Sequence, residues 1–262
     1  MKNKGITQKR HCLWRSTANV AVGVCRFLTA GAPPARPAVI SRRLGLLLAA
    51  GAFSVHSQAA PPPQWPESLN TAKEAEYMTE TEQEVIHELN KVRTNPKAYA
   101  LYLKEERQYY SGKNISKPGE ITVKTREGLV AVNECIAALA KAKPVGVLRP
   151  HKGLSEAAAW LAADQAKTGR TGHNGSDGSN LSQRVERHDA GSYITIGENI
   201  SYGSGEARQI VMQLLIDDGV ASRGHRHNIL NAAFDCCGVA INTHSVYRYV
   251  CVMDFGKFSS KW

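Results

Sequence analysis

The first 59 residues contain no aspartate and no glutamate, although they hold nine of the 33 lysines and arginines. The rest of the chain therefore carries 24 basic side chains against all 23 acidic ones, so the formal net charge of +10 belongs almost entirely to the N-terminal segment. Beyond that segment no basic stripe is interleaved with aromatic residues, as a nucleic-acid-binding surface would be. The charge distribution thus predicts no nucleic-acid partner for the folded part.

The N-terminal segment also lacks an apolar run of the length that crosses a bilayer. Its apolar stretch, LGLLLAAGAFSV at Leu44–Val55, has instead the length of a signal-peptide core, and it follows the basic pair Arg42 and Arg43. Small residues precede a cleavage point after Ala59. Residues 41–59 are therefore predicted to be a signal peptide, which leaves no membrane span in the mature chain.

The position of this leader is unusual, because a signal peptide normally begins near residue 1. We expect residues 1–40 to be a spurious or disordered extension, with Val39 as an alternative start. General secretion and twin-arginine export both remain open. Either route predicts a secreted or periplasmic protein. The proline-rich residues 60–80, which follow the leader, are expected to form a loosely ordered linker.

No two cysteines stand in a CxxC pair, which argues against a zinc ribbon. Four cysteines follow the predicted leader, namely Cys135, Cys236, Cys237 and Cys251. An even number in an exported chain predicts two disulfides. Cys237 and Cys251 flank a predicted hairpin, so we expect them to pair and to leave Cys135 with Cys236. Because two of the cysteines are adjacent, the alternative pairing stays open.

Apolar periodicity predicts a chain in which helices bracket a short sheet. Helical spacing begins near Thr79 or Thr81, at Pro96, near Leu129, near Leu154 and after the predicted cap Ser204. Strand patterns cover residues 193–203, 238–242 and 247–255, and a polar turn joins the last two. This order predicts an α+β architecture with helices packed on the faces of a mostly antiparallel sheet.

Three polar residues stand at the ends of these elements, where sites are commonly built: His173, Glu198 and His225. Two imidazoles and a carboxylate suit a divalent metal with an open position, or an acid–base pair. The histidines lie 52 residues apart, so no local ligand spacing joins them. Each histidine taken alone fits a surface or hydrogen-bonded role better than the role of a metal ligand.

Neighbouring charges predict two sets of ion pairs near these residues. Asp177 and Arg184 are expected to brace the loop after the third long helix. Arg223 and Arg226 are expected to pair with the acidic residues just before them or to face solvent. Pairs of this kind contribute only about 0.2–1 kcal/mol when exposed.

Four short motifs together resemble the CAP superfamily, also called the SCP domain, which includes cysteine-rich secretory proteins, insect venom antigens and plant pathogenesis-related proteins. The motifs are GHNGSDG (172–178), GENISYGSG (197–205), SRGHRHNIL (222–230) and CVMDFG (251–256), in the family's order. The stretch ELNKVRTNPKAYA resembles bacterial secreted members. The resemblance places a CAP domain at residues 81–257.

The resemblance implies a three-layer α–β–α sandwich with a short, mostly antiparallel central sheet and a cleft. It also implies that His173, Glu198 and His225 line this cleft, with the two histidines as ligands of a divalent cation: zinc, calcium or magnesium. Many members add a second acid from the helix before the GH motif. No glutamate stands at a matching place here, and Asp217 and Asp218 are equally compatible with that role and with a loop cap.

Two functions from different classes follow. The first is a secreted, non-catalytic, monomeric module whose cleft binds a divalent cation and an extracellular ligand such as a glycan, lipid or peptide. The alternative is a metal- or acid/base-dependent, peptidase-like hydrolase with Glu198 as general base. The chain lacks a nucleophile elbow and an HExxH helix, and every mature cysteine has a predicted partner, so binding is favoured over catalysis. A domain with a purely structural polar cleft is a third reading.

Overall fold

The computed structural model of the chain describes residues 63–188 and 192–259. The predicted N-terminal extension, the signal peptide and its cleavage point lie outside the described residues. Within these ranges the α-helices are α1 Glu80–Thr94, α2 Pro96–Glu106, α3 Leu129–Lys141, α4 Lys152–Thr168, α5 Leu181–His188, α6 Ala207–Ile216 and α7 Gly224–Ile229. The strands are β1 Tyr110–Ser111, β2 Asn114–Ile115, β3 Val123–Lys124, β4 Arg149–Pro150, β5 Tyr193–Tyr202, β6 Cys236–His244 and β7 Arg248–Phe258.

The central sheet has the strand order β4-β6-β7-β5. β7 pairs antiparallel with both β5 and β6, whereas the two-residue strand β4 runs parallel to β6. β5 is therefore an edge strand of this sheet. The α+β class and the mostly antiparallel sheet predicted from the sequence are confirmed.

The side chains of β7 alternate between two helical layers. Cys251, Met253 and Phe255 join the larger core, which they share with α1, α2, α3 and α6. Val250 and Val252 face the other way and pack against α4. Because successive strand residues point to opposite faces, one central strand serves both layers. The result is the three-layer α–β–α sandwich that the resemblance implied.

Local capping explains where the main helices begin and end. Thr79 and Glu82 form a reciprocal capping box at the start of α1. The Asn95 side chain accepts from Ala98 at the start of α2, whose first residue is Pro96. These starts agree with the sequence patterns. The predicted cap Ser204 is wrong, because α6 begins at Ala207 without a side-chain cap.

Three features differ from the sequence expectation. A second, three-stranded sheet (β1–β3) stands in a stretch where the sequence predicted no strand, and α5 and α7 were not predicted either. Part of the expected linker also packs on the domain. Ala72 is fully buried, and the Asn90 side chain donates to the carbonyl of Leu69. The expectation of loose order therefore does not hold there.

The predicted disulfides are wrong, since the four cysteines of the described residues are free buried thiols: Cys135, Cys236, Cys237 and Cys251. The β6–β7 register places Cys237 opposite Phe255 and Cys251 opposite Ile241. Those positions are four residues apart, which separates Cys237 from Cys251 by roughly 13 Å along the strands, beyond disulfide reach. Cys236 faces the α4 side, whereas Cys135 lies in the core on the opposite face of the sheet.

Among the helices of residues 63–188 and 192–259, none combines the length and the apolar character that crossing a bilayer requires.

Candidate functional site

His173 lies in the loop between α4 and α5 and reaches the edge strand β5. Its Nδ1 lies 2.7 Å from Oε1 of Glu198, whose side chain is 3% exposed. The imidazole itself is 43% exposed, so the rest of the ring faces solvent. A buried carboxylate thus holds one nitrogen of a partly exposed histidine.

Glu198 is in turn held by a buried arginine. Arg184 on α5 donates from Nη2 to Oε2 of Glu198 at 2.5 Å, and its other terminal nitrogen donates to the carbonyls of His173 and Ser179. The ion pair predicted between Asp177 and Arg184 is therefore wrong. Asp177 pairs with Arg187 instead, one turn further along α5, at 2.9 Å.

His225 in the first turn of α7 has an equivalent acidic partner. Its Nδ1 lies 2.6 Å from Oδ1 of Asp217, and its backbone N–H donates to Oδ2 of the same carboxylate. Asp217 ends α6 in the left-handed conformation, with φ of 55°. Aspartate tolerates this conformation better than most residues. The kink after α6 therefore directs a buried carboxylate at the imidazole.

Two asparagines hold the histidine-bearing elements together. Asn199 on β5 donates to the carbonyl of His225, while Asn228 on α7 donates to the carbonyl of Glu198 and to the side chain of Asn199. His173, Glu198, Asp217 and His225 all line one cleft. Sequence reasoning passed over both asparagines, although each stands within a quoted motif.

Asp218, the neighbour of Asp217, is directed away from both histidines. Its carboxylate accepts the backbone N–H groups of Arg126, Glu127 and Gly128, at 2.7–2.8 Å. This clamp ties the segment that follows β3 to the end of α6. The structure thus separates two roles that the sequence left open: Asp217 contacts His225, and Asp218 caps a loop.

Arg223 and Arg226 pair with two glutamates, one just before α3 and one within it. Arg223 binds Glu127 through two nitrogens at 2.7 Å, and Arg226 binds Glu134 at 2.6 and 2.8 Å. The expected pairing with the preceding aspartates is wrong. The hydrogen bond from Arg223 lowers the pKa of Glu127 to about 2. These pairs fix the α6–α7 segment against α3.

Comparison with known proteins shows the family of this chain. A sequence model of the CAP family, described as the cysteine-rich secretory protein family, matches residues 86–255. The chain belongs to the CAP family. A search of curated proteins found no match to this CAP domain.

Two solved structures are similar to the CAP domain. An outer surface protein of Borrelia burgdorferi has 20% sequence identity and a TM-score of 0.38, over 44% of this chain and 80% of that one. An extracellular protein with an SCP domain from Bacillus anthracis has 21% identity and a TM-score of 0.35, over 49% of this chain and 38% of that one.

The donor atoms of the cleft define what the CAP domain can do there. In both histidines a carboxylate engages Nδ1, so Nε2 is the nitrogen that remains for another partner. Within residues 63–188 and 192–259, no cluster of three or more His, Cys, Asp or Glu side chains has the arrangement of a metal site. A cation in this cleft would therefore have fewer than three ligands of these kinds from the described residues, and it would take the others from solvent or a bound molecule.

Proposed function

We propose that this CAP domain is an exported binding module whose cleft holds a divalent cation on the Nε2 atoms of His173 and His225. The observation that carries the proposal is the pair of carboxylate–imidazole contacts, His173 with Glu198 and His225 with Asp217. Carboxylates that accept from Nδ1 fix the tautomer and the ring orientation of metal-binding histidines. Two independent contacts of this kind in one cleft support a shared ligand.

The chemistry of the donors favours some cations over others. Imidazole nitrogen suits zinc and similar transition metals, whereas calcium and magnesium prefer oxygen ligands. The carboxylates that could supply oxygen, Glu198 and Asp217, are buried and already engaged. Of the three cations expected from the sequence, the residues therefore fit zinc best. With only two protein ligands, such an ion keeps open positions for an extracellular ligand.

The geometry gives less support to the hydrolase alternative. A general base must reach a water molecule or the substrate. Glu198 is buried, and its two oxygens already accept from His173 and Arg184. The four thiols are buried as well, so they offer no nucleophile. We therefore assign Glu198 an orienting role in a module that binds without turnover.

The size of the cleft indicates the class of ligand. Its volume of about 2250 Å³ exceeds the roughly 300–1,000 Å³ of pockets for small molecules. The lining includes the tyrosines Tyr202, Tyr247 and Tyr249 beside polar groups. This combination supports an extended polymer, a glycan strand or a peptide, as the ligand of a secreted or periplasmic monomer.

Calorimetric titration with zinc, calcium and magnesium tests the proposal. We expect wild-type protein to bind zinc, and we expect His173→Ala and His225→Ala each to weaken zinc binding at least tenfold, because each removes one of two protein ligands. His227→Ala is the matched control, since His227 is exposed on the same helix and lines the same cleft. Zinc binding by both alanine variants at wild-type affinity would exclude the proposed site.

A further inference from the structure

Asp254 on β7 is a fully buried carboxyl group, and no hydrogen-bond donor in the part of the chain that the structure describes reaches either of its oxygens. The strand register places it directly opposite Glu198 on β5. On the other side β6 presents Gly238, which has no side chain. α4 covers this glycine so closely that a Cβ there would lie 2.1 Å from the Leu154 backbone. Glu198 is thus the polar side chain that the strand pairing places beside Asp254.

The strand pairing brings the two carboxyl groups side by side. Asn228 donates to the Glu198 carbonyl from α7, so the backbone groups of Glu198 point away from β7. Glu198 and Asp254 therefore face each other without exchanging backbone hydrogen bonds. In an antiparallel ladder, opposed residues of this kind have the closest side chains. Both side chains also project to the same face, because Ile200 and Val252, two residues along each strand, share the core against α4.

The local charges do not allow both groups to be ionised. Arg184 on α5 is the cation that faces the pair, and it is bound to Glu198. One guanidinium balances one carboxylate, so a second buried carboxylate without a donor would be strongly unfavourable. Burial and the charge of Glu198 hold the pKa of Asp254 well above its usual range, and Arg184 offsets this only in part.

We propose that Asp254 is a positioning residue whose carboxyl group carries a proton, donates it in a hydrogen bond to Glu198, and thereby fixes the carboxylate that holds His173. Glu198 then accepts from three directions: the imidazole Nδ1, the guanidinium and the Asp254 hydroxyl. The acid pair carries one negative charge, which Arg184 balances. The Nδ1 hydrogen of His173 is thereby held toward Glu198, and Nε2 keeps the lone pair that a cation requires. Only this last consequence rests on the proposed function.

The first experiment reads the proton directly and needs no metal. Infrared spectra of the full chain at pH 7, with ¹³C-labelled aspartate, are compared with those of Asp254→Asn, so that the difference isolates one carboxyl group. We expect the carbonyl band of a protonated acid. A carboxylate band in its place would overturn the proposal, whether or not the protein binds zinc.

The second experiment tests whether Asp254 positions Glu198 and, through it, His173. Asp254→Asn keeps a neutral N–H donor toward Glu198, and we expect it to retain the His173 tautomer and zinc affinity within about threefold. Asp254→Leu removes the donor, and we expect a changed tautomer in ¹⁵N spectra and about tenfold weaker zinc binding, at the low end of effects seen for residues behind a ligand. Met253→Leu, the neighbour on the opposite face, is the control and should change neither.

The outcomes separate this proposal from the proposed function. An Asp254→Leu protein with the wild-type tautomer and zinc affinity would overturn the positioning role, and Asp254→Ala provides the same comparison if leucine prevents folding. A wild-type protein that binds no zinc, but shows a protonated Asp254 and a tautomer that depends on it, would support this proposal and exclude the cation site.

Discussion

Arg93 on α1 is a fully buried arginine whose partners are backbone carbonyls: those of Gly146, Ile229, Asn231 and Phe234, at 2.7–2.9 Å. Burial lowers its pKa to about 10, so it remains charged at neutral pH. Three of the four carbonyls belong to the end of α7 and the turn that follows. One side chain from the first helix therefore holds the far end of the short helix that carries a cleft histidine.

Replacing this arginine should destabilise the protein severely. Arg93→Met leaves four carbonyls without a donor, and at about 1 kcal/mol for each the free energy of unfolding should fall by about 4 kcal/mol. Arg93→Lys, which keeps a charge and some donors, should lose about half as much. Urea unfolding measures both. Arg187→Met is the control, because Arg187 belongs to an exposed ion pair and its replacement should lower the free energy of unfolding only slightly. A loss in Arg93→Met as small as that in the control would contradict this account.

Adjacent aspartates show how much of the site the sequence could predict. Motif order alone named Asp217 and Asp218 as candidates and left the role of each open. Their roles depend on a left-handed residue at the end of α6, which directs the first carboxylate to His225 and the second to the amides of residues 126–128. That backbone conformation has no residue pattern of its own. The sequence analysis named Arg184 with the wrong partner and did not single out Asp254, because the contacts of both residues with Glu198 join separate elements.

At the scale of elements, the small sheet β1–β3 is joined to the cleft through Asp218. Its carboxylate binds the amides of residues 126–128, just after β3. Gly128 has φ of 64°, and a Cβ there would lie 2.2 Å from the carbonyl oxygen of Gly112 in the β1–β2 turn. The small sheet and the α6–α7 segment therefore meet at a tightly packed junction, and residues of β2 and β3 line the cleft.

Hydrogen exchange tests whether Asp218 holds this junction. Bonds to a charged acceptor contribute about 1.5–3 kcal/mol, so Asp218→Ala should lower the opening free energy of the amides at residues 126–128 by about 2 kcal/mol, or roughly 30-fold in exchange rate. Amides in the centre of β7 should keep their protection. Asp217→Asn is the matched control at the neighbouring position. Unchanged exchange at residues 126–128 in Asp218→Ala would show that the clamp adds nothing.

Element length explains which parts of the fold were predictable. Four elements run for ten or more residues, which is long enough for an apolar period to be recognised: α1, α4, β5 and β7. β1, β2 and β3 have two residues each, and α7 has six, so no period can develop. α5 has eight residues, of which only Leu181 and Val185 are apolar. These short elements are set by tertiary contacts such as the Asp218 clamp, and they are the ones that the sequence analysis missed.

At the scale of the whole molecule, apolar packing takes the place of the expected disulfides. β7 joins two apolar layers, and the four cysteines sit within them as small buried side chains: Cys135, Cys236, Cys237 and Cys251. Cys135 donates to the carbonyl of Leu215, and Cys236 donates to that of Gly256. Burial of apolar side chains between the three layers therefore stabilises the CAP domain, and the thiols are part of this packing.

Native and unfolded protein should consequently differ sharply in thiol reactivity. Burial raises the pKa of Cys135 to about 12 and holds the pKa of Cys251 higher still, so almost no thiolate is present at pH 8. We expect iodoacetamide to leave all four cysteines unmodified in the native protein, as read by peptide mass mapping. In urea without reductant all four should be alkylated, and dithiothreitol should not change the midpoint of thermal unfolding. Any pair that reacts only after reduction would instead be linked by a disulfide, and the layered core could not then be the whole source of stability.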